Sequence, residues 1–163
     1  MSDDAAREIL IAGAHALAHV DSLGLSLQVL LDSIAEQSGV ASAVIVVPGT
    51  EGALEIAVTF GLDEAAAAGL TEAMRRPTHP ITRTFSEPTA TFDVQPTVPG
   101  GPALRSHLPL IAKRGGRDRM LGVLAIAHER PIEPGSRQVL QAGADLAAVA
   151  IERHRPGGTS AVQ

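Results

Sequence analysis

Two histidines near the start of the chain, His15 and His19, have the spacing of a helical metal-binding pair. Residues four apart lie on the same face of a helix, so both imidazoles could reach one zinc ion. The local sequence supplies no third ligand and no His-Glu-x-x-His motif. We therefore interpret the pair as surface histidines and predict no metal site.

Four basic residues gather between two predicted strands, at Lys113, Arg114, Arg117 and Arg119, beside Asp118. Such a cluster can contact the phosphates of a nucleic acid, or it can form the solvated turn of a hairpin. The net charge of −5 and the aromatic content of 2% favour the turn, because nucleic-acid binding uses positive charge and exposed rings. We predict no nucleic-acid partner.

The sequence contains none of the common catalytic motifs. It lacks the Gly-x-Ser-x-Gly elbow, the phosphate-binding loop that ends in Gly-Lys-Ser/Thr, and the dinucleotide fingerprint. The absence of cysteine excludes disulfides, thiolate metal sites and a cysteine nucleophile. We predict a protein without enzymatic activity.

The length of 163 residues suits one domain, and 45% hydrophobic residues predict a globular protein whose core is aliphatic. No apolar run approaches the roughly 20 residues that cross a bilayer. The acidic start, Ser2-Asp3-Asp4, differs from the basic start of a secretory signal. We expect a cytoplasmic protein that does not enter a membrane.

The hydrophobic periodicity alternates between that of helices and that of strands. Pro109 lies inside a predicted strand and requires an edge or a bulge there. Five of the nine residues from 94 to 102 are Pro or Gly, which predicts a mobile loop. The predicted elements are helices at 5–20 and between 24 and 39, strands at 43–47 and 54–60, helices at 63–76 and 81–87, strands at 89–93, 103–112 and 120–128, and a helix at 137–153.

Neighbouring strands joined by tight turns predict an antiparallel sheet of five to six strands in an α+β fold. The N- and C-terminal helices are then free to cover one face of this sheet. We divide the chain into an N-terminal helix at 1–22, a domain at 23–155 and a disordered tail at 156–163, which is rich in Gly and Ser.

The two strands near the C-terminal helix carry a resemblance to a known family. Residues 105–110 (Arg-Ser-His-Leu-Pro-Leu), a polar turn and residues 121–126 (Leu-Gly-Val-Leu-Ala-Ile) resemble the signature of the last two strands of GAF domains. Residues 30–35, 60–62 and 146–152 are similar to the family's opening helix, the step after its second strand and its closing helix. The resemblance implies a stand-alone or excised GAF domain of a bacterial signalling protein.

The resemblance implies different ligands for different members of the family. Members that attach bilins, and those that reduce free methionine sulfoxide, use cysteines, which this chain lacks. Members that bind cyclic nucleotides often carry an Asn-Lys-Phe-Asp-Glu signature, and this chain contains no Asn. A haem-binding member would need an axial histidine, for which His79 and His107 are candidates. No cofactor is assigned.

In the proteins that this chain resembles, the segment around residues 79–107 borders the ligand pocket. Imidazoles and guanidiniums there could clamp a carboxylate or a phosphate. The alternative is that His79 caps a turn before Pro80, and that Arg105 and His107 face solvent. The ligand-binding residues that the resemblance implies are His79, Arg83, Phe85, Phe92, Asp93, Arg105 and His107.

The terminal helices carry more apolar surface than one sheet face requires, so we expect a homodimer that buries the excess. A small molecule would then shift the pairing of these helices and signal to a downstream protein. Two alternatives stay open: a structural dimerisation or interaction module without a ligand, and a haem-binding redox or gas sensor.

Overall fold

The computed structural model describes residues 22–96 and 102–154. The predicted N-terminal helix, the tail and the centre of the predicted 94–102 loop lie outside the described residues. The helices are α1 (Leu23–Ser38), α2 (Glu64–Ala73), α3 (Pro80–Ser86) and α4 (Pro134–Arg153). The strands are β1 (Val40–Pro48), β2 (Leu54–Phe60), β3 (Thr91–Val94), β4 (Leu104–Arg114) and β5 (Arg117–His128).

The five strands form one antiparallel sheet in the order β2-β1-β5-β4-β3. The two longest helices, α1 and α4, pack against each other and cover one face of this sheet. The predicted α+β fold is therefore confirmed, with five strands in the described residues and helices from both ends of the domain on one face.

Local sequence explains the ends of α1. The Ser22 side chain caps the helix by accepting a hydrogen bond from the Leu25 amide at 3.4 Å. Gly39 ends it at a φ of 62°, in the left-handed region that glycine adopts without a steric penalty. Both ends follow the predicted pattern of cap-type residues and a terminal glycine.

The hairpin between β4 and β5 is tighter than the predicted turn at residues 113–119. Its two central residues, Gly115 and Gly116, have φ values of 58° and 77°. Positive φ at both positions matches the twist of the flanking strands in a two-residue turn, so the strands extend to Arg114 and Arg117. The basic residues of this segment therefore lie on the ends of two paired strands.

Pro109 occupies the strand position that its chemistry requires. It pairs with Val123 of β5 on one side, whereas the pairing of β4 with β3 ends at His107. On its second side Pro109 therefore has no strand partner among the described residues, and no ladder hydrogen bond is lost there. A register shift between Leu110 and Ile111 follows. This arrangement confirms the predicted edge.

Each face of the sheet has its own apolar core, because side chains alternate along a strand. Every fully buried Leu or Ile contributes roughly 1.5–3 kcal/mol relative to an exposed one. The core under α1 and α4 includes Leu30, Leu31, Ile34, Ile45, Leu108, Leu124 and Leu140, and the core of the opposite face includes Val44, Val46, Met74, Ile81, Val123 and Ala125.

Gly122→Ala tests how closely β1 and β5 approach each other. A Cβ at Gly122 would collide with the Val46 carbonyl oxygen and touch the Val47 side chain at 3.3 Å. We expect Gly122→Ala to lower the free energy of unfolding by about 1–3 kcal/mol, because the obstructing atom belongs to the backbone. Urea unfolding measures this change.

The matched control is Gly69→Ala on α2. A Cβ at Gly69 meets no atom within 4 Å, so the substitution should raise stability by about 0.5–1 kcal/mol through helix propensity. Equal effects of the two substitutions would contradict the close strand approach.

Candidate functional site

A cavity of about 500 Å³ lies on the face of the sheet opposite α1 and α4. Its floor comes from β1 and β5, and the start of α3 and the end of β3 form part of its walls. Small-molecule sites in proteins have volumes of this order and mostly apolar walls with a few polar groups. The apolar lining includes Val44, Leu62, Leu70, Pro80, Ile81 and Ala125.

Three of the predicted site residues, His79, Arg105 and His107, line this cavity together. Arg105 and His107 are two apart on β4, so their side chains leave the same face of the sheet. His79 comes from a different element, the N-terminal cap of α3. The tertiary fold thus brings together polar groups from two segments that are separated by β3.

His79 is held by its capping interaction. Its Nδ1 accepts a hydrogen bond from the Ile81 amide at 3.2 Å, so the proton of the neutral ring is on Nε2. Burial lowers the pKa of His79, and the positive charge of Arg76 lowers it further. The alternative interpretation, that His79 caps the turn before Pro80, is therefore correct, and the same residue lines the cavity.

His107 is buried, with 4% of its surface exposed. Its Nδ1 lies 3.3 Å from the Thr91 hydroxyl across the β3–β4 pair. Burial lowers the pKa of His107 to about 4, and the nearby His79 and Arg105 disfavour its charged form further. The ring is therefore neutral near pH 7, and the alternative interpretation that it faces solvent is wrong.

Arg83 and Phe85, both on α3, lie beside the cavity. Arg83 lines a neighbouring depression of about 290 Å³, which shares His107 as a wall residue. Its exposed guanidinium is 3.9 Å from the Glu87 carboxylate. Phe85 is partly buried and packs against the apolar core of the cavity face.

Phe92 and Asp93 lie away from the cavity. Strand alternation after Thr91 turns Phe92 to the other face of the sheet, and a bulge in β3 turns Asp93 to that face as well. Thr91 pairs with His107 and Val94 pairs with Arg105, so three steps along β3 match two along β4. Asp93 has a φ of 58°, which is uncommon for a residue other than glycine. Phe92 packs against the core under α1 and α4, and Asp93 turns to the same side.

The Asp93 carboxylate fastens β3 to the start of α4. Its two oxygens accept hydrogen bonds from the Ile132 amide at 2.9 Å and from the Arg137 guanidinium at 2.8 Å. The same guanidinium lies 4.8 Å from the centre of the Phe92 ring. These contacts give Asp93 a positioning role in the fold.

Sequence reasoning missed the buried polar pair that continues from this contact. Ser106 Oγ accepts a hydrogen bond from the Asp93 amide at 3.2 Å and lies 2.8 Å from His128 Nε2. His128 Nδ1 donates to the Arg130 carbonyl at 2.7 Å, so in the neutral ring Nε2 accepts the Ser106 proton. Ser106 belongs to the resemblance signature, but strand alternation alone marks it only as facing away from Arg105 and His107.

A hydroxyl this close to an imidazole also occurs in nucleophilic catalysis. Ser106, however, is 0% exposed, and its oxygen is held by the Asp93 amide. A substrate cannot reach this oxygen without opening the core. We therefore interpret Ser106 and His128 as a structural pair.

In the described part of the chain, His, Asp and Glu side chains do not form any group of three that could hold a metal ion. None of the helices in that part has the length and apolarity to cross a membrane.

The chain is similar to solved structures over most of its length. A GAF domain from a phosphoenolpyruvate-protein phosphotransferase of Coxiella burnetii superposes with a TM-score of 0.75 at 14% identity, covering 97% of this chain and 99% of that one. The GAF-B domain of DevS from Mycobacterium smegmatis gives 0.63 at 19% identity, covering 86% of this chain and 99% of that one.

An enzyme is also among the similar structures. The free methionine-R-sulfoxide reductase from Neisseria meningitidis, solved with its substrate, gives a TM-score of 0.69 at 15% identity and covers 99% of this chain and 95% of that one. Searches of protein-family models and of curated proteins return no match. The chain has the GAF fold, and the predicted resemblance is confirmed at the level of structure.

The buried His107 makes stability depend on pH. Because its folded-state pKa of about 4 lies below the ordinary histidine pKa of 6.5, the unfolded chain binds an additional proton between these values. The free energy of unfolding should therefore fall as the pH decreases through this window, by about 3 kcal/mol in all. Urea unfolding at a series of pH values measures the slope.

His107→Gln keeps a hydrogen-bonding side chain beside Thr91 and should remove most of this slope. Gly69→Ala on α2 changes no titratable group and should leave the slope unchanged. A slope that survives His107→Gln would contradict the buried neutral ring.

Ser106→Ala tests the buried polar pair. The substitution leaves the Asp93 amide and His128 Nε2 without their hydroxyl partner, which should cost about 1–3 kcal/mol of unfolding free energy. Ser86→Ala removes an exposed hydroxyl that donates to the Thr82 carbonyl, and it should change stability by less than about 0.5 kcal/mol. Thermal unfolding of both variants makes the comparison.

Proposed function

We propose that the chain is a GAF-type sensory or regulatory domain that binds a small molecule and has no catalytic activity. The observation that carries this proposal is the cavity of about 500 Å³, where three polar side chains from two segments meet apolar walls. A pocket with few convergent polar groups is the usual form of a ligand site. Burial lowers the pKa of both His79 and His107. Perturbed pKa values are frequent at functional sites, and a role of the neutral rings in ligand recognition would explain their burial.

We propose His79, Arg105 and His107 as the ligand contacts. Arg83 offers a further contact in the neighbouring depression. Phe85 packs against the apolar residues of the cavity face and supports that wall. Phe92 and Asp93 serve instead to hold β3 against α4. The domain that carries these residues is the predicted unit at 23–155.

The similar structures support a regulatory role by analogy. Two of them are GAF domains of a phosphotransferase and of DevS, and the third is a reductase. The family's sulfoxide reductases use cysteines, and this chain contains none. We therefore favour sensing over catalysis, and we expect the signal to pass to a downstream protein in the cytoplasm.

A route from the cavity to α4 follows from the chain itself. Val94, Gln95 and Pro96 line the cavity, and the residue before them, Asp93, binds the Arg137 side chain and the Ile132 amide. A ligand that displaces these wall residues would pull on the first turn of α4. The bulge turns Asp93 towards α4 and Val94 back towards the cavity, so two neighbouring residues contact the two ends of the route.

The outer surfaces of α1 and α4 support the predicted homodimer. Leu25, Val29 and Val149 expose 60%, 40% and 49% of their surfaces on the two helices that cover one sheet face. Pairing with a second copy would bury these side chains. Light scattering at tens of micromolar should give twice the chain mass, and Val149→Glu should shift it towards the monomer.

Native mass spectrometry of freshly purified protein, compared with the denatured mass, tests the proposed function. A reproducible extra mass that denaturation removes would support small-molecule binding and give the size of the molecule. A metabolite at one hundred times its dissociation constant should add about 2.7 kcal/mol of stability. A protein without bound mass, whose unfolding temperature no metabolite changes, would favour the interaction module.

Asp93→Asn tests the connection between β3 and α4. The amide keeps an acceptor for Ile132 but loses the charge that pairs with Arg137, so both ends of the connection should loosen. We expect faster hydrogen exchange at the end of β3 and in the first turn of α4. Asp145→Asn, on the exposed face of α4, is the control and should change neither segment. Faster exchange confined to β3 would contradict the proposed route.

A further inference from the structure

The described lining of the cavity contains one permanently charged side chain. Among the described residues that line it, Arg105 is the single Lys or Arg, and no Asp or Glu is present. The two imidazoles add hydrogen-bonding groups, and burial lowers the pKa of both. Near neutral pH the lining therefore carries one positive charge.

Among the described residues, Arg105 has hydrogen-bond partners on one side of its guanidinium only. Its Nη1 donates to the Pro102 carbonyl at 2.7 Å and to the Leu104 carbonyl at 3.3 Å. Nε and Nη2 make no hydrogen bond or ion pair to the residues at 22–96 and 102–154. A guanidinium fixed through one nitrogen presents the Nε–Nη2 edge, which matches the two oxygens of a carboxylate.

The remaining walls are suited to an apolar body. They are formed largely by aliphatic side chains from the sheet and from α2 and α3, with Ser42 and Gln95 as uncharged polar members. An apolar cavity of about 150 Å³ holds benzene, so a volume of about 500 Å³ has room for roughly a dozen or more non-hydrogen atoms.

We propose, on the basis of the proposed function, that the cavity binds a monocarboxylate with an apolar body, and that the Nε–Nη2 edge of Arg105 holds the carboxylate. A neutral molecule of the same shape would leave the guanidinium without an anion. A phosphate dianion would need a second cation, which the described lining does not supply. An amine would meet the positive charge of Arg105 directly.

Four probes with one skeleton separate these cases: phenylbutyrate, phenylbutanol, phenylbutyl phosphate and phenylbutylamine. Titration calorimetry with the full chain near neutral pH should show phenylbutyrate binding about tenfold or more tightly than each of the others, since a charge-assisted bidentate contact has that effect. Arg105→Gln should remove this advantage and leave phenylbutanol binding almost unchanged.

Arg119→Gln is the matched control, because it removes one exposed arginine from β5, outside the cavity. It should leave all four affinities within about twofold. Arg105→Lys provides a second variant should Arg105→Gln unfold: it keeps the charge without the two-nitrogen edge, and phenylbutyrate affinity should fall to an intermediate value.

Each other outcome has a distinct meaning. Equal binding of phenylbutyrate and phenylbutanol would overturn the carboxylate assignment but leave the proposed small-molecule site standing. Tighter binding of the phosphate would overturn the single-charge assignment in the same way. If none of the probes binds, the ligand class is wrong, and the mass-spectrometric test of the proposed function decides separately whether the cavity holds another molecule.

Discussion

The inner strands of the sheet, β1, β5 and β4, have to pack against different neighbours on their two faces. On one face, α1 and α4 run for 16 and 20 residues and cover the strands with a continuous apolar core. On the other face, α2 and α3 have 10 and 7 residues and cover less of the sheet. The uncovered area beside α3 is the cavity, so the difference in helix length between the two faces creates the candidate site.

Strand β4 connects these two faces within a few residues. Arg105 and His107 project into the cavity, and Ser106 between them projects into the core under α4. The bulge at Asp93 lies opposite Ser106, and the Asp93 amide donates a hydrogen bond to the Ser106 hydroxyl. A positive φ at a residue other than glycine costs on the order of 1–3 kcal/mol, and the contacts of Asp93 with Ser106, Ile132 and Arg137 offset that cost. The same contacts join the wall of the cavity to the first turn of α4.

Local sequence predicted the order of helices and strands, because caps, terminal glycines, prolines and hydrophobic periodicity act over a few residues. Ser22 and Gly39 mark the ends of α1. Pro109 predicted an edge or a bulge, and it lies on the part of β4 beyond the pairing with β3. The predicted ends of strands and helices were wrong where the backbone conformation of a glycine or a proline sets the end of the element. The two glycines of the β4–β5 turn shorten it, and α4 begins three residues earlier than predicted, since Pro134 fits the first turn of a helix.

The sequence by itself determined the order of the elements and the shared strand face of Arg105 and His107, because alternation with a period of two depends on the backbone alone. Only the tertiary structure decided that His79 joins them, since α3 has to pack across the sheet before its cap reaches the cavity. It also turned Asp93, through the bulge of β3, to the opposite face, where Phe92 already lies by strand alternation. No local pattern encodes that bulge, which is held by hydrogen bonds from Ile132 and Arg137, residues distant in sequence that meet Asp93 only when α4 has docked.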